Sequence, residues 1–247
     1  MNIAEWISHY RWQGALHFYL IDNGSTDDWK SKLNMTGDTT VVTRLEPHQQ
    51  QQHYDSYLPT LRENHKCDWA LVVDLDEYVY AKPPTKGLAS FFASVSPFTD
   101  QIKIPWKMFG SSGFNLQPES VRCSFTERSK TFNTRFTKTT IRIKEIDAFK
   151  VHRHQLKSSL SSKLTSLFFN REVLLDNLEG ALQINHYAIQ SREYFERVKL
   201  HRGDVYWPDK NDIRTWEYFE NYDKAGSGYK DHELCSLLNC CNTTKIE

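Results

Sequence analysis

Five consecutive apolar residues, Trp69-Ala70-Leu71-Val72-Val73, run without a break into Asp74-Leu75-Asp76-Glu77. An uninterrupted apolar run of that length reads as a strand covered on both faces. Such a strand needs layers above and below it, which points to an α/β domain. Carboxylates at its exit are costly to bury unless a cation or strong donors meet them. Ligands of open α/β sheets sit beyond the carboxyl ends of the strands, so the run also marks where chemistry is expected.

The first half of the chain alternates helix and strand around this run. Ile3, Trp6, Ile7 and Tyr10 recur at helical spacing, which predicts an amphipathic helix over 2–12. Leu16 to Ile21 reads as a strand ending in the turn cluster Asp22-Asn23-Gly24-Ser25-Thr26-Asp27, with a short capped helix to about Leu33. Thr39 to Thr43 is a β-branched strand, and Gln49 to His65 a polar surface helix. Past Pro83-Pro84 a helix is expected through Phe91 and Phe92, then a strand over Ile102 to Pro105 and a Gly/Ser-rich loop from Trp106 to Phe114. Further strands are expected at Thr139 to Ile143, Phe149 to His152 and Leu182 to Tyr187, with a helix from about Ser191 to Arg202. This pattern predicts an open, mostly parallel mixed sheet with helices on both faces. It also predicts one main domain over 1–207 and a helical appendage over 208–247 packed on it.

Lysine plus arginine equals aspartate plus glutamate, 31 each, so no whole-protein field draws nucleic acid or an anionic surface. Anion binding must then be local. No run reaches the roughly 20 apolar residues of a membrane span, and no signal peptide opens the chain. The five cysteines show no CxxC spacing; free thiols are expected, with Cys240-Cys241 as the alternative pair. Sequons stand at Asn23, Asn34 and Asn242. A glycan at Asn23 would block the expected nucleotide loop, which favours a cytoplasmic location over an excised luminal domain.

Asp74 and Asp76, at i and i+2 on a strand end, can converge on one hard divalent ion, Mg²⁺ or Mn²⁺. That ion would bridge the two phosphates of a nucleoside diphosphate and stabilise it as a leaving group. The competing reading is that the carboxylates cap the following turn. Asp22 and Asn23 end another strand and face the same rim, as ligands for a base or ribose or as an ordinary Asx turn. His186, in Asn185-His186-Tyr187, ends a late strand and reads as a metal ligand, a phosphate donor or a core residue. His152 and His154 carry the same choice.

Taken in order, these stretches resemble the family 2-like and family 92-like glycosyltransferases with a DxD motif. The likeness rests on Glu5-Trp6-Ile7 with Gly14, the strand into Asp22-Asn23-Gly24-Ser25-Thr26-Asp27, Asp74-Leu75-Asp76-Glu77-Tyr78, and Trp106 with Phe109-Gly110-Ser111-Ser112-Gly113. It continues through Lys138 to Arg142, His152, and Asn185-His186-Tyr187 with Ser191, Phe195, Lys199, Arg202 and Gly203. The resemblance implies a GT-A fold, a nucleotide-sugar donor (a UDP-sugar first), a carbohydrate acceptor and Mn²⁺ or Mg²⁺. Asp76 would be the main metal ligand, Asp74 would serve the metal or ribose, and His186 would be a further ligand. Trp106, Phe109, Gly110 and Ser111 would line the sugar, and Lys138 and Arg142 are candidates for phosphate. The family's usual opening strand is not found before the first helix, and its lysine after Asn-His-Tyr is Gln190 here.

Family analogy points to inversion, which needs a base near the acceptor. Glu127, Glu145, Asp147 and His152 are the candidates. Two rival readings are a non-catalytic nucleotide- or glycan-binding module and a DxD-type phosphatase. The second is weakened because Tyr78 stands where such enzymes carry Thr or Val.

Overall fold

The computed structural model of the protein describes residues 3–33, 36–46, 49–63, 67–131, 133–150, 153–175, 180–200 and 213–240. Helix α1 (Ile3–Trp12) buries Ile3, Trp6, Ile7 and Tyr10, as the spacing requires. Strand β1 (Phe18–Asp22) pairs in parallel with β2 (Thr39–Thr43) as a separate two-stranded sheet. The single helix expected after it is two, α2 (Gln50–Ser56) and α3 (Leu58–Glu63). Pro59 lacks the amide hydrogen that a continuous helix would use there.

The chain continues as β3 (Trp69–Leu71), β4 (Glu77–Ala81), α4 (Gly87–Ser94), β5 (Gln101–Met108), α5 (Val121–Ser124), β6 (Glu127–Arg128) and β7 (Asn133–Arg142). Next come β8 (Ile146–Ala148), β9 (Gln155–Leu156), α6 (Leu160–Phe168), β10 (Glu172–Leu174) and β11 (Leu182–His186). Helix α7 (Arg192–Tyr194) runs on as a π-helical turn over Phe195–Lys199. The last elements are α8 (Trp216–Ala225), β12 (Tyr229–Lys230) and α9 (Glu233–Leu237). Of the strand expected at Phe149 to His152, Phe149 and Lys150 follow β8 outside any strand, and residues 151–152, His152 included, lie outside the described residues.

A six-stranded sheet has the order β3-β7-β5-β11-β4, with β10 also on β5. It is mixed, and its direction corrects the mostly parallel expectation. β3 with β7, β7 with β5 and β11 with β4 are antiparallel; only β11 and β10 run parallel to β5. Hydrophobic pattern reports which faces are covered, not which way a neighbour runs. The strands buried along their whole length are β4 and β11. Trp69 to Val73 stays part-exposed throughout, because β3 ends the sheet order and has β7 as its partner.

The C-terminal elements are tied to this sheet. Strand β12 pairs antiparallel with β6. The buried Lys107 ammonium on β5 lies 2.9 Å from Asp231, which also meets Arg128 at 2.5 Å. A disulfide joins Cys123 to Cys240, and Cys235 is disulfide-bonded as well. This corrects the expectation of free thiols: among the described residues, Cys67 is the one cysteine outside a disulfide. Pairs so distant in sequence leave no spacing signal to read.

Candidate functional site

The Asp74-Leu75-Asp76 turn joins β3 to β4 and is held from behind by α1. Trp6 donates its indole N–H to the Asp74 carbonyl at 3.1 Å, and Tyr10 donates its hydroxyl to the Glu77 carbonyl at 3.0 Å. The turn closes on itself through the Asp74 amide, which donates to Glu77 Oε2 at 2.8 Å. The Asp76 carbonyl accepts from Tyr187 N–H at 2.9 Å, fixing the turn to the exit of β11. These contacts fix the backbone and leave the two aspartate side chains on the other side.

Two lysines meet those side chains. Lys138 of β7 is almost fully buried, and its Nζ lies 2.8 Å from Asp74 Oδ2 and 3.3 Å from Glu77 Oε2. Lys199, at the end of the π-helical turn, lies 2.6 Å from Asp76 Oδ2. Burial alone would lower both ammonium pKa values; the facing carboxylates outweigh it and hold both lysines charged. Burial likewise pushes Asp76 up, but its neighbours, Lys199 first and Lys138 among them, together outweigh it and keep the carboxyl below its usual range. Glu77 is fully buried, and burial raises its pKa well above the ordinary carboxylate value against the pull of Lys138.

His186 completes the cluster from the end of β11. Its Nε2 stands 3.9 Å from Asp76 Oδ1, and its ring centre is 4.2 Å from that of Trp106. Burial lowers its pKa to about 4, against the opposing effect of Asp76, so the ring is neutral at pH 7. Its Nδ1 is buried with no hydrogen-bond partner among the described residues. Asp76 Oδ1 and a neutral imidazole nitrogen are a donor pair that suits a divalent cation. Lys138 takes Asp74 Oδ2 and Lys199 takes Asp76 Oδ2, and among the described residues no group of three or more His, Cys, Asp or Glu side chains is arranged for a metal. Further ligands would come from the part-exposed Asp74, a bound phosphate or water.

The other expected residues are distributed unevenly. Asp22 uses Oδ1 to accept from Ser25 N–H at 2.9 Å and sits 3.6 Å from Lys30, while Asn23 donates to the carbonyls of Arg44 and Glu46. None of these bonds reaches the Asp74–Asp76 turn. Arg142 pairs with Trp69 at the opening end of β3, four residues and roughly 13 Å along β7 from Lys138. There it donates to the Thr99 and Ser96 carbonyls and covers the Trp69 ring, away from the aspartates. Phe109, Gly110 and Ser111 are buried rather than lining an open surface. The Ser111 amide donates to Asp223 of α8 at 2.6 Å, and Phe109 packs on Tyr187.

Glu127 lies on β6, half-buried and paired in register with Lys230. Asp147 is exposed on the β8–β9 hairpin and accepts from Gln155 at 2.6 Å. Buried His154 accepts from the Lys150 amide at Nδ1 and bonds the Thr139 carbonyl through Nε2, a role inside the fold. Sequence reasoning gave no role to Lys199, Glu77 or Gln50, whose amide lies 3.5 Å from Asp74 Oδ1. A basic residue on the helix after Asn-His-Tyr was the one available signal for Lys199. Gln190, at the position where the resemblance implied a lysine, accepts from Gln117.

The sequence model of glycosyltransferase family 92 matches residues 1–166, a span that holds Asp74, Asp76, Glu77 and Lys138 but ends before His186 and Lys199. A glycosyltransferase family 92 protein of Arabidopsis thaliana is 23% identical over 223 residues, covering 84% of this chain and 36% of its own length. The chain therefore spans about a third of that relative.

Proposed function

The chain belongs to glycosyltransferase family 92, and on that premise we propose that the Asp74–Asp76 turn is the donor site of a sugar transfer. The reading is transfer from a nucleotide-diphosphate sugar, UDP-sugar first, to a carbohydrate acceptor, with inversion, on a GT-A type scaffold. The observation that carries it is Asp76, a buried carboxylate held between Lys199 and His186 at a sheet's carboxyl rim.

Mn²⁺ or Mg²⁺ would be held by Asp76 Oδ1 and His186 Nε2, and when bound it would neutralise the diphosphate leaving group. Lys199 orients Asp76 by taking its other oxygen. Lys138 does the same for Asp74, whose part-exposed side chain can reach a ribose or the ion. Trp106, tilted beside His186, would offer an aromatic surface to a sugar. Of the base candidates, Glu127 has a half-buried side chain, while Asp147 is engaged by Gln155. The paired cysteines favour an oxidising compartment over the cytoplasm.

A second reading, binding of a nucleotide or glycan without turnover, draws on the lysines that already satisfy both aspartates. Thermal shifts with UDP and UDP-sugars, with and without Mn²⁺, separate the two. A ligand that binds the native state raises its apparent stability by mass action. A Mn²⁺-dependent shift, lost in Asp76→Asn and in His186→Ala together with sugar transfer, is expected. A shift indifferent to Mn²⁺, with no transfer to any acceptor, favours the binding module.

A further inference from the structure

Helix α6 is turned inside out relative to an ordinary surface helix. Its Ser162 is buried, closing a capping box with Ser159, while Leu164, Leu167 and Phe168 are 53%, 73% and 78% exposed. Those three stand at i, i+3 and i+4, so they form one outward stripe. The stripe is extended by Phe169, which is 46% exposed and stacks on the equally open Phe98 with ring centres 3.9 Å apart. A contiguous exposed apolar patch of this kind marks an interaction surface rather than ordinary scatter.

Charge says what covers it. The whole chain carries 31 basic and 31 acidic residues, yet residues 148–171 contain Lys150, Arg153, Lys157, Lys163 and Arg171 and no Asp or Glu. Arg153 pairs with Glu172 at 2.9 Å and Arg171 with Asp100 and Glu145, which leaves the lysines; Lys150 lines an open cleft, with Arg153 and Glu172, beside the β8–β9 hairpin that leads directly into α6. Lys163 is exposed on α6 itself, and among the described residues neither it nor Lys150 makes an ion pair. An apolar stripe flanked by lysines that no carboxylate engages, Lys150 and Lys163, is the pattern of a helix that lies in a membrane interface, its apolar face among acyl chains and its cations among anionic headgroups. We infer that α6 and the basic segment before it dock this protein on an anionic phospholipid surface. The contact is peripheral, since no described helix is long and apolar enough to cross a membrane.

Co-sedimentation with vesicles tests this on the full chain. Wild type is expected to bind phosphatidylcholine vesicles containing phosphatidylserine and not those of phosphatidylcholine alone, with binding weakened by added salt. Leu167→Glu/Phe168→Glu and Lys150→Glu/Lys163→Glu should each weaken it by about tenfold or more. Unchanged thermal melts would show that these exposed substitutions leave the fold intact. Absence of binding to the charged vesicles, or equal binding by either double variant, would overturn the inference. So would a wild-type dimer that Leu167→Glu/Phe168→Glu turns into a monomer, which would assign the stripe to a second copy.

Discussion

Asp76 and Lys199 lie 123 residues apart in sequence and 2.6 Å apart in space. Asp76 was legible because it follows an apolar run, where a carboxylate calls for an explanation. Lys199 was not, because its partner is supplied by the sheet and by a helical turn that no local pattern locates. His186 could be placed at a strand end, yet its neutral state comes from burial by Trp106 and its neighbours, which spacing does not report. The pair has an energetic signature. Asp76→Ala leaves a buried ammonium without its counter-charge and should cost about 3–5 kcal/mol. Adding Lys199→Met should recover most of that loss without restoring Mn²⁺-dependent binding of UDP. Denaturant melts of the four proteins measure the coupling, and strictly additive effects would contradict the contact.

Elements with strong periodicity were readable: α1, β1, β2, β11 and the strand ends that carry the candidate site. Helix α6 was missed because it opens on Ser158-Ser159-Leu160-Ser161-Ser162, a composition that reads as loop, and its capping box uses serine rather than Glu or Gln at the third position. Sheet direction was misread because an apolar run is the same whether its neighbours are parallel or antiparallel. Helix α8 shows how closely two elements depend on missing side chains. A Cβ on Gly226 would stand 2.5 Å from the Gly110 nitrogen and 2.7 Å from its Cα, both backbone atoms that cannot swing aside. Gly226→Ala should therefore cost about 1–3 kcal/mol and loosen α8 from the 109–111 loop. Faster hydrogen exchange at the Ser111 amide, now donating to Asp223, is the expected readout.

For the whole molecule, the C-terminal segment is fastened by three kinds of bond: the β6–β12 pairing, the buried Lys107–Asp231–Arg128 cluster and the Cys123–Cys240 disulfide. Removing the disulfide frees the unfolded chain of a long closed loop. Cys123→Ser should accordingly lower stability by about 2–5 kcal/mol, read as a lower melting temperature that added reductant shifts less than it shifts wild type. Topologically, the bond turns residues 123–240 into a macrocycle with the first 122 residues as a tail. The proposed donor site straddles that division: its aspartates lie on the tail, and Lys138, His186 and Lys199 lie on the ring. A protease cut inside the ring would thus leave one covalent molecule with every site residue still attached. A cut between Asp76 and Cys123 would part the aspartates from their partners and leave only packing to hold the two together.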